Sequence, residues 1–154
     1  MTRTSRRSDV SALIAKLRAR SPRPPLAPDR PWSAGITKDI ESSGASELLK
    51  AALHIWNDDI ERSHTLAQED PSSTGSLIHA VLHRRETEYW NSKYWLRQTG
   101  AHPVLKALAE EFEGWDPFSH VDRCEGAERG PAAEVKSLEG IQARELELLA
   151  EHCR

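Results

Sequence analysis

The chain is poor in cysteine, methionine, phenylalanine and tyrosine, with two, one, two and two of them in 154 residues. Cys124 and Cys153 are too few for a disulfide scaffold and are not spaced as a metal-binding pair, which suits a reducing cytoplasm. No apolar run approaches the roughly 20 residues that span a bilayer. The basic, serine-rich first 20 residues lack the continuous apolar stretch and cleavage site of a secretion signal. A phosphate-binding glycine loop, a dinucleotide fingerprint and a G-x-S-x-G elbow are missing, which takes most of the weight from nucleotide-dependent and serine-hydrolase chemistry. Zinc-finger spacing, aromatic RNA-binding strands and a basic stripe with interleaved aromatics are missing too, which argues against nucleic acid as a partner. No segment alternates apolar and polar residues long enough to make a strand.

What is present is charge, unevenly placed, and helical periodicity. The net charge is −3, but residues 1–30 carry +6, residues 31–103 carry −3 and residues 104–154 carry −6. The basic end can meet an anionic surface or pair with the acidic C-terminal third of its own or a neighbouring chain. Val10, Leu13, Ile14 and Leu17 form one stripe of a short helix that Ser8 would cap, running to Arg20. Five prolines between Pro22 and Pro31 make a linker. The expected organisation is therefore a basic helix and linker over 1–31 and one helical domain over 32–154.

Within that domain Leu49, Leu53, Trp56, Ile60, His64 and Ala67 lie on one face of a long helix over about 45–68. After a short turn a second long helix runs from about Thr74 to Gly100, with Ile78, Leu82, Arg85 and Tyr89 on one stripe. Ser76, His79, His83, Glu86 and Trp90 form the stripe beside it. The short connection makes the two helices antiparallel. A helix from Pro103 through Leu105, Leu108 and Phe112 follows, and Ala132 to Cys153 closes the chain. The expected fold is all-α: a bundle of about five to six helices around two long antiparallel ones, with no internal repeat.

The chemistry concentrates between residues 54 and 103, which hold five of the seven histidines, three of the five tryptophans and both tyrosines. His79 and His83, four apart on a helix, can offer neutral nitrogens to one cation, with Glu86 a turn further on. His64, about six residues before the turn as His79 is about six after it, supplies a third ligand, and Glu61 or Glu86 the general base. The candidate metal ligands are thus His64, His79 and His83, and the divalent ion is unspecified by residue type. Arg85 or Arg97, among Trp90, Tyr94 and Trp95, can hold the carboxylate of a small anionic ligand. For Arg84 and Arg85, diverging by about 100°, the alternative is an internal ion pair with Asp58 or Asp59. Those two carboxylates diverge too, so they make no dyad and are expected to face solvent. His102 before Pro103 fits a helix start, and His120 with Cys124 lacks the setting of a nucleophilic thiol.

As a set, Ile55-Trp56-Asn57-Asp58-Asp59, Ser63-His64, Thr74-Gly75-Ser76, His79-Ala80, His83-Arg84-Arg85-Glu86, Asn91, Tyr94-Trp95 and Gly100 to Val104 resemble a family of small bacterial and fungal proteins. No activity is attached to that family. The similarity extends through Trp115-Asp116-Pro117-Phe118 to the Glu145 to Cys153 region. It implies an apolar or aromatic residue where His120 stands, which weighs against His120 as a catalytic group. Two functions remain in view: a His/Glu/Arg pocket for a divalent metal or small anion, serving a metal-dependent enzyme, and a structural or homodimerising module whose polar residues fix helix register.

Overall fold

A computed structural model describes the backbone of residues 3–154 and the side chains from Asp9 onward. The described residues form nine α-helices and no strand. These are α1 (Arg3–Arg18), α2 (Ala34–Ser42), α3 (Glu47–Trp56), α4 (Ile60–Ala67), α5 (Ser73–Arg85), α6 (Tyr89–Thr99), α7 (Pro103–Glu111), α8 (Pro117–Ala127) and α9 (Ala132–Cys153). None of these helices is long and apolar enough to cross a membrane.

The all-helical class stands as the periodicity predicts, while the helix count and two of the elements differ. α1 begins upstream of Ser8, so Ser8 lies inside the helix and does not start it. Each of the two expected long helices is a tight helical hairpin. The first breaks at Asn57-Asp58-Asp59, where Asp58 takes φ 63° and Asp59 starts α4 by accepting the Arg62 amide at 3.2 Å. Asn and Asp are weak helix formers that tolerate the left-handed region, so the break has a local cause. The second break comes at Glu86-Thr87-Glu88, with Thr87 at φ 62°.

The two breaks are superimposable in their bonding, residue for residue, at an offset of 29 positions (54 and 83). The Asp59 amide bonds to the His54 carbonyl at 2.9 Å, and the Glu88 amide to the His83 carbonyl at 2.8 Å. The Ser63 hydroxyl donates to the Ala51 carbonyl at 2.8 Å, and the Ser92 hydroxyl to the Ala80 carbonyl at 2.6 Å. The cap dihedrals agree as well: Asn57 at −82°/13° matches Glu86 at −87°/5°, and Asp59 at −92°/77° matches Glu88 at −97°/68°. Leu48, Ala51, Leu53, His54 and Ser63 recur as Leu77, Ala80, Leu82, His83 and Ser92. The chain therefore does contain an internal repeat, carried by hairpin geometry and a handful of buried or half-buried positions.

Apolar faces of both hairpins, α1 and α9 meet in one core around Leu17, Leu53, Ile55, Ile78, Leu82, Leu146 and Leu149. The proline-rich segment lies on this core: the Pro24 and Pro25 carbonyls accept from Gln142, and Pro25 also from Arg85. Two buried ion-pair networks fix the register. Asp58 takes Arg85 at 2.6 Å and Arg20 at 2.8 Å, all three nearly sealed from water. Arg84 holds Glu145 through two bonds, at 2.7 and 3.1 Å, and Gln142 at 3.0 Å, joining α5 to α9. Asp58 and Asp59 are thus buried at 4% and 3% exposure, contrary to the solvent-facing expectation.

Candidate functional site

The site sits where α5 ends and α6 begins, with α4 packed against α5. α5 presents His79 and His83 one turn apart, and the antiparallel packing of α4 brings His64 to both. Ring centroids are 5.2 Å apart for His64 and His79, 5.5 Å for His64 and His83, and 5.9 Å for His79 and His83. His79 and His83 are buried, and His64 is half-buried.

Both buried rings have defined tautomers. The His79 Nδ1 lies 3.0 Å from the Gly75 carbonyl oxygen, which can only accept, so the proton is on Nδ1 and Nε2 keeps its lone pair. Gly75 is required for the close approach of the α4–α5 turn to the start of α5: a Cβ there would stand 2.5 Å from the Asp70 carbonyl oxygen. Burial lowers the His79 pKa, the Gly75 bond opposes that, and the neighbouring histidines add to the lowering. Trp95 stacks on the His79 ring at 4.2 Å and 20°, holding it flat. The His83 Nδ1 meets the Glu88 carboxylate at 2.9 Å. Asn91 Nδ2 lies 3.3 Å from the same nitrogen. An Nδ1 that donates to Glu88 cannot also accept from Asn91, so turning the amide over, with Oδ1 inward, gives consistent polarity.

Among the described residues the compact donor set is His83, Glu86 and Glu88, whose ligand atoms lie within 4.8 Å of one another. His64 and His79 flank this set by ring centroid and are not members of it. The break in the helix creates the set: continuing α5 would carry Glu86 and Glu88 to different faces, whereas the turn at Thr87 brings both back over His83. A β-branched residue at positive φ is a strained choice, and it lies between the two carboxylates.

The remaining candidates fall elsewhere. Arg85 is fully buried, donating to the Ile55 and Pro25 carbonyls and to Asp58, so the internal ion pair forms and the guanidinium, its Nε still unpaired, is sealed away from any ligand carboxylate. Arg97 is exposed near the end of α6. Glu61 is exposed and lines a different cleft with His54 and Lys50. His102 caps α7 by accepting the Val104 amide on Nδ1 at 3.1 Å, with Nε2 2.9 Å from the Thr74 hydroxyl, and burial lowers its pKa to about 4. His120 lies 3.8 Å from the Cys124 sulfur; burial lowers the ring to about 3 and raises the thiol, so neither form needed for nucleophilic work is populated. Glu88 escapes sequence inspection because Arg-Glu-Thr-Glu carries no strong helix stop. The signal that finds it is the 29-residue offset from Asp59. No family model, no curated protein and no solved structure matches this chain.

Proposed function

We propose that the chain binds a divalent metal ion at the break between α5 and α6, with His83, Glu86 and Glu88 as ligands and His79 and His64 beside them. The observation that carries this reading is the gathering of those three ligand atoms at a strained turn. In the metal-free protein the His83 Nδ1 proton spans the 2.9 Å to Glu88, and an ion binding there would displace it; that separation is close to the roughly 3 Å between two ligands on one ion with bonds near 2.1 Å. One nitrogen and two carboxylates suit zinc, iron, manganese or nickel and do not choose among them. Three protein ligands leave room for water or a small anionic substrate, so a metal-dependent hydrolytic or Lewis-acid reaction is the class of chemistry to assay. His79 Nε2, unprotonated and neutral by burial, is the group suited to accept a proton there.

Support for the second reading, a structural module, comes from the first hairpin. There the equivalent acid, Asp59, caps a helix and pairs with Arg62 at 3.0 Å. Glu88 at the same place makes no side-chain cap bond and turns to His83 instead. That divergence favours the metal reading. Elemental mass spectrometry on untagged protein purified without chelator tests it, with His83→Ala alongside. Near-stoichiometric metal in the wild type that is lost in the variant is the expected result. Folded wild type that carries none and takes up no added zinc, manganese, iron or nickel overturns it.

A further inference from the structure

The first hairpin opens onto its own cleft, of about 470 Å³, bounded by α2, α3 and α4. His54, the counterpart of His83, lines it while being 1% exposed. Its Nδ1 is sealed from water without a hydrogen-bond partner and faces the Asp59 carboxylate from 4.0 Å. A nitrogen lone pair directed at a carboxylate is repelled, whereas an N–H there is attracted, so the proton belongs on Nδ1 and Nε2 is left as an acceptor. Burial, as the largest influence, keeps the ring neutral, with Asp59 opposing.

The other groups of the cleft sort by what they have left to offer. The Arg62 guanidinium is committed to Glu41 at 2.7 Å and Asp59 at 3.0 Å. Lys50 donates to the Glu41 carbonyl at 3.2 Å. Glu47 and Glu61 are exposed lining residues with no ion-pair partner among the described residues. The capacity left over is therefore two exposed carboxylates, the Lys50 ammonium beyond its one carbonyl bond and one imidazole acceptor, and Leu66 and Thr65 give the wall some apolar surface. Such a lining is complementary to a hydrogen-bond donor that carries positive charge on a short aliphatic stem.

We infer that this cleft is a second ligand site, distinct from the metal centre, that binds an aliphatic ammonium group, with Glu47 and Glu61 taking the charge and His54 accepting a hydrogen bond. The ammonium can belong to a diamine or to an amino acid. In the second case Lys50, with donors to spare, takes the carboxylate.

Nuclear magnetic resonance of the full chain, following backbone amides and histidine ring signals, tests this with 1,4-diaminobutane, glycine and butanoate as probes. The expected result is saturable shifts centred on His54, Glu47 and Glu61 with at least one amine probe and none with butanoate. Diaminobutane alone identifies a diamine site, and glycine binding that weakens in Lys50→Met identifies an amino-acid site. Both carboxylates are exposed, so Glu47→Gln/Glu61→Gln should stay folded and bind the amine at least tenfold more weakly, while His83→Ala should bind it normally. Absence of saturable shifts at tens of millimolar amine, equal shifts with butanoate, or binding untouched by the double substitution overturns the inference. Because His83→Ala disables only the metal centre, failure here and failure of the metal reading are separable.

Discussion

The two hairpins share a backbone and differ in what surrounds it. In α3–α4 the turn residue Asp58 is buried between Arg20 and Arg85, Asp59 caps its helix, and Arg62 covers it. In α5–α6 the corresponding residues are Glu86, Thr87 and Glu88, exposed or half-buried and free of arginine. The same turn thus serves as a structural joint in the first copy and gathers unneutralised donors in the second. The histidine preceding each turn follows suit: His54 stands 4.0 Å from its acid, His83 hydrogen-bonds its own at 2.9 Å.

The largest expected difference between the copies is in stability. Asp58→Ala leaves two guanidinium groups buried and unpaired, and chemical denaturation should register a loss of about 3–5 kcal/mol. Thr87→Ala, at the same position of the second copy, should change stability by no more than about 0.5 kcal/mol. Equal losses at the two positions would erase the distinction.

Acid should act more strongly on the elements that hold buried histidines. The fold keeps His54 and His79 below the ordinary value by burial, His102 near 4 and His120 near 3. In the unfolded chain these rings titrate near 6.5. The unfolded state therefore binds protons first as pH falls, so stability is full above about 6.5 and declines down to the folded values. Thermal melts across pH 7.5 to 4 should show this decline. His102→Asn, which keeps an α7 cap, should flatten it, and an unaltered slope would assign the acid sensitivity elsewhere.

The smallest effect is the most local. Thr87→Gly removes the left-handed strain and should raise the apo-protein's stability by up to about 1 kcal/mol, partly offset by chain entropy. Asp58→Gly should instead stay strongly destabilising, milder than Asp58→Ala by no more than that same ~1 kcal/mol, because its carboxylate matters more than its φ.

Much of this was legible beforehand, for identifiable reasons. The α9 bounds, the α1 stripe and the meeting of His64 with His79 follow from periodicity and a short turn, which are local information. The helix breaks at Asp58 and Thr87 were not, since apolar spacing runs through both and the hairpins are stabilised by non-local bonds such as Ser92 to Ala80. Those same breaks carry the repeat, bring Glu88 into the donor set and put Glu61 at the other cleft. Arg85 shows the limit of residue type alone: its partners Asp58 and the Ile55 carbonyl converge only once the first break is formed.

The central claim is that the second hairpin, and not the first, holds a metal. Calorimetric titration of metal-free protein with zinc, for wild type, His83→Ala, Glu86→Gln/Glu88→Gln and His54→Gln, addresses it most directly. The account predicts one site in the wild type and in His54→Gln, weakened at least tenfold in the other two. Zinc binding that survives the loss of His83, or that disappears with His54, would contradict it.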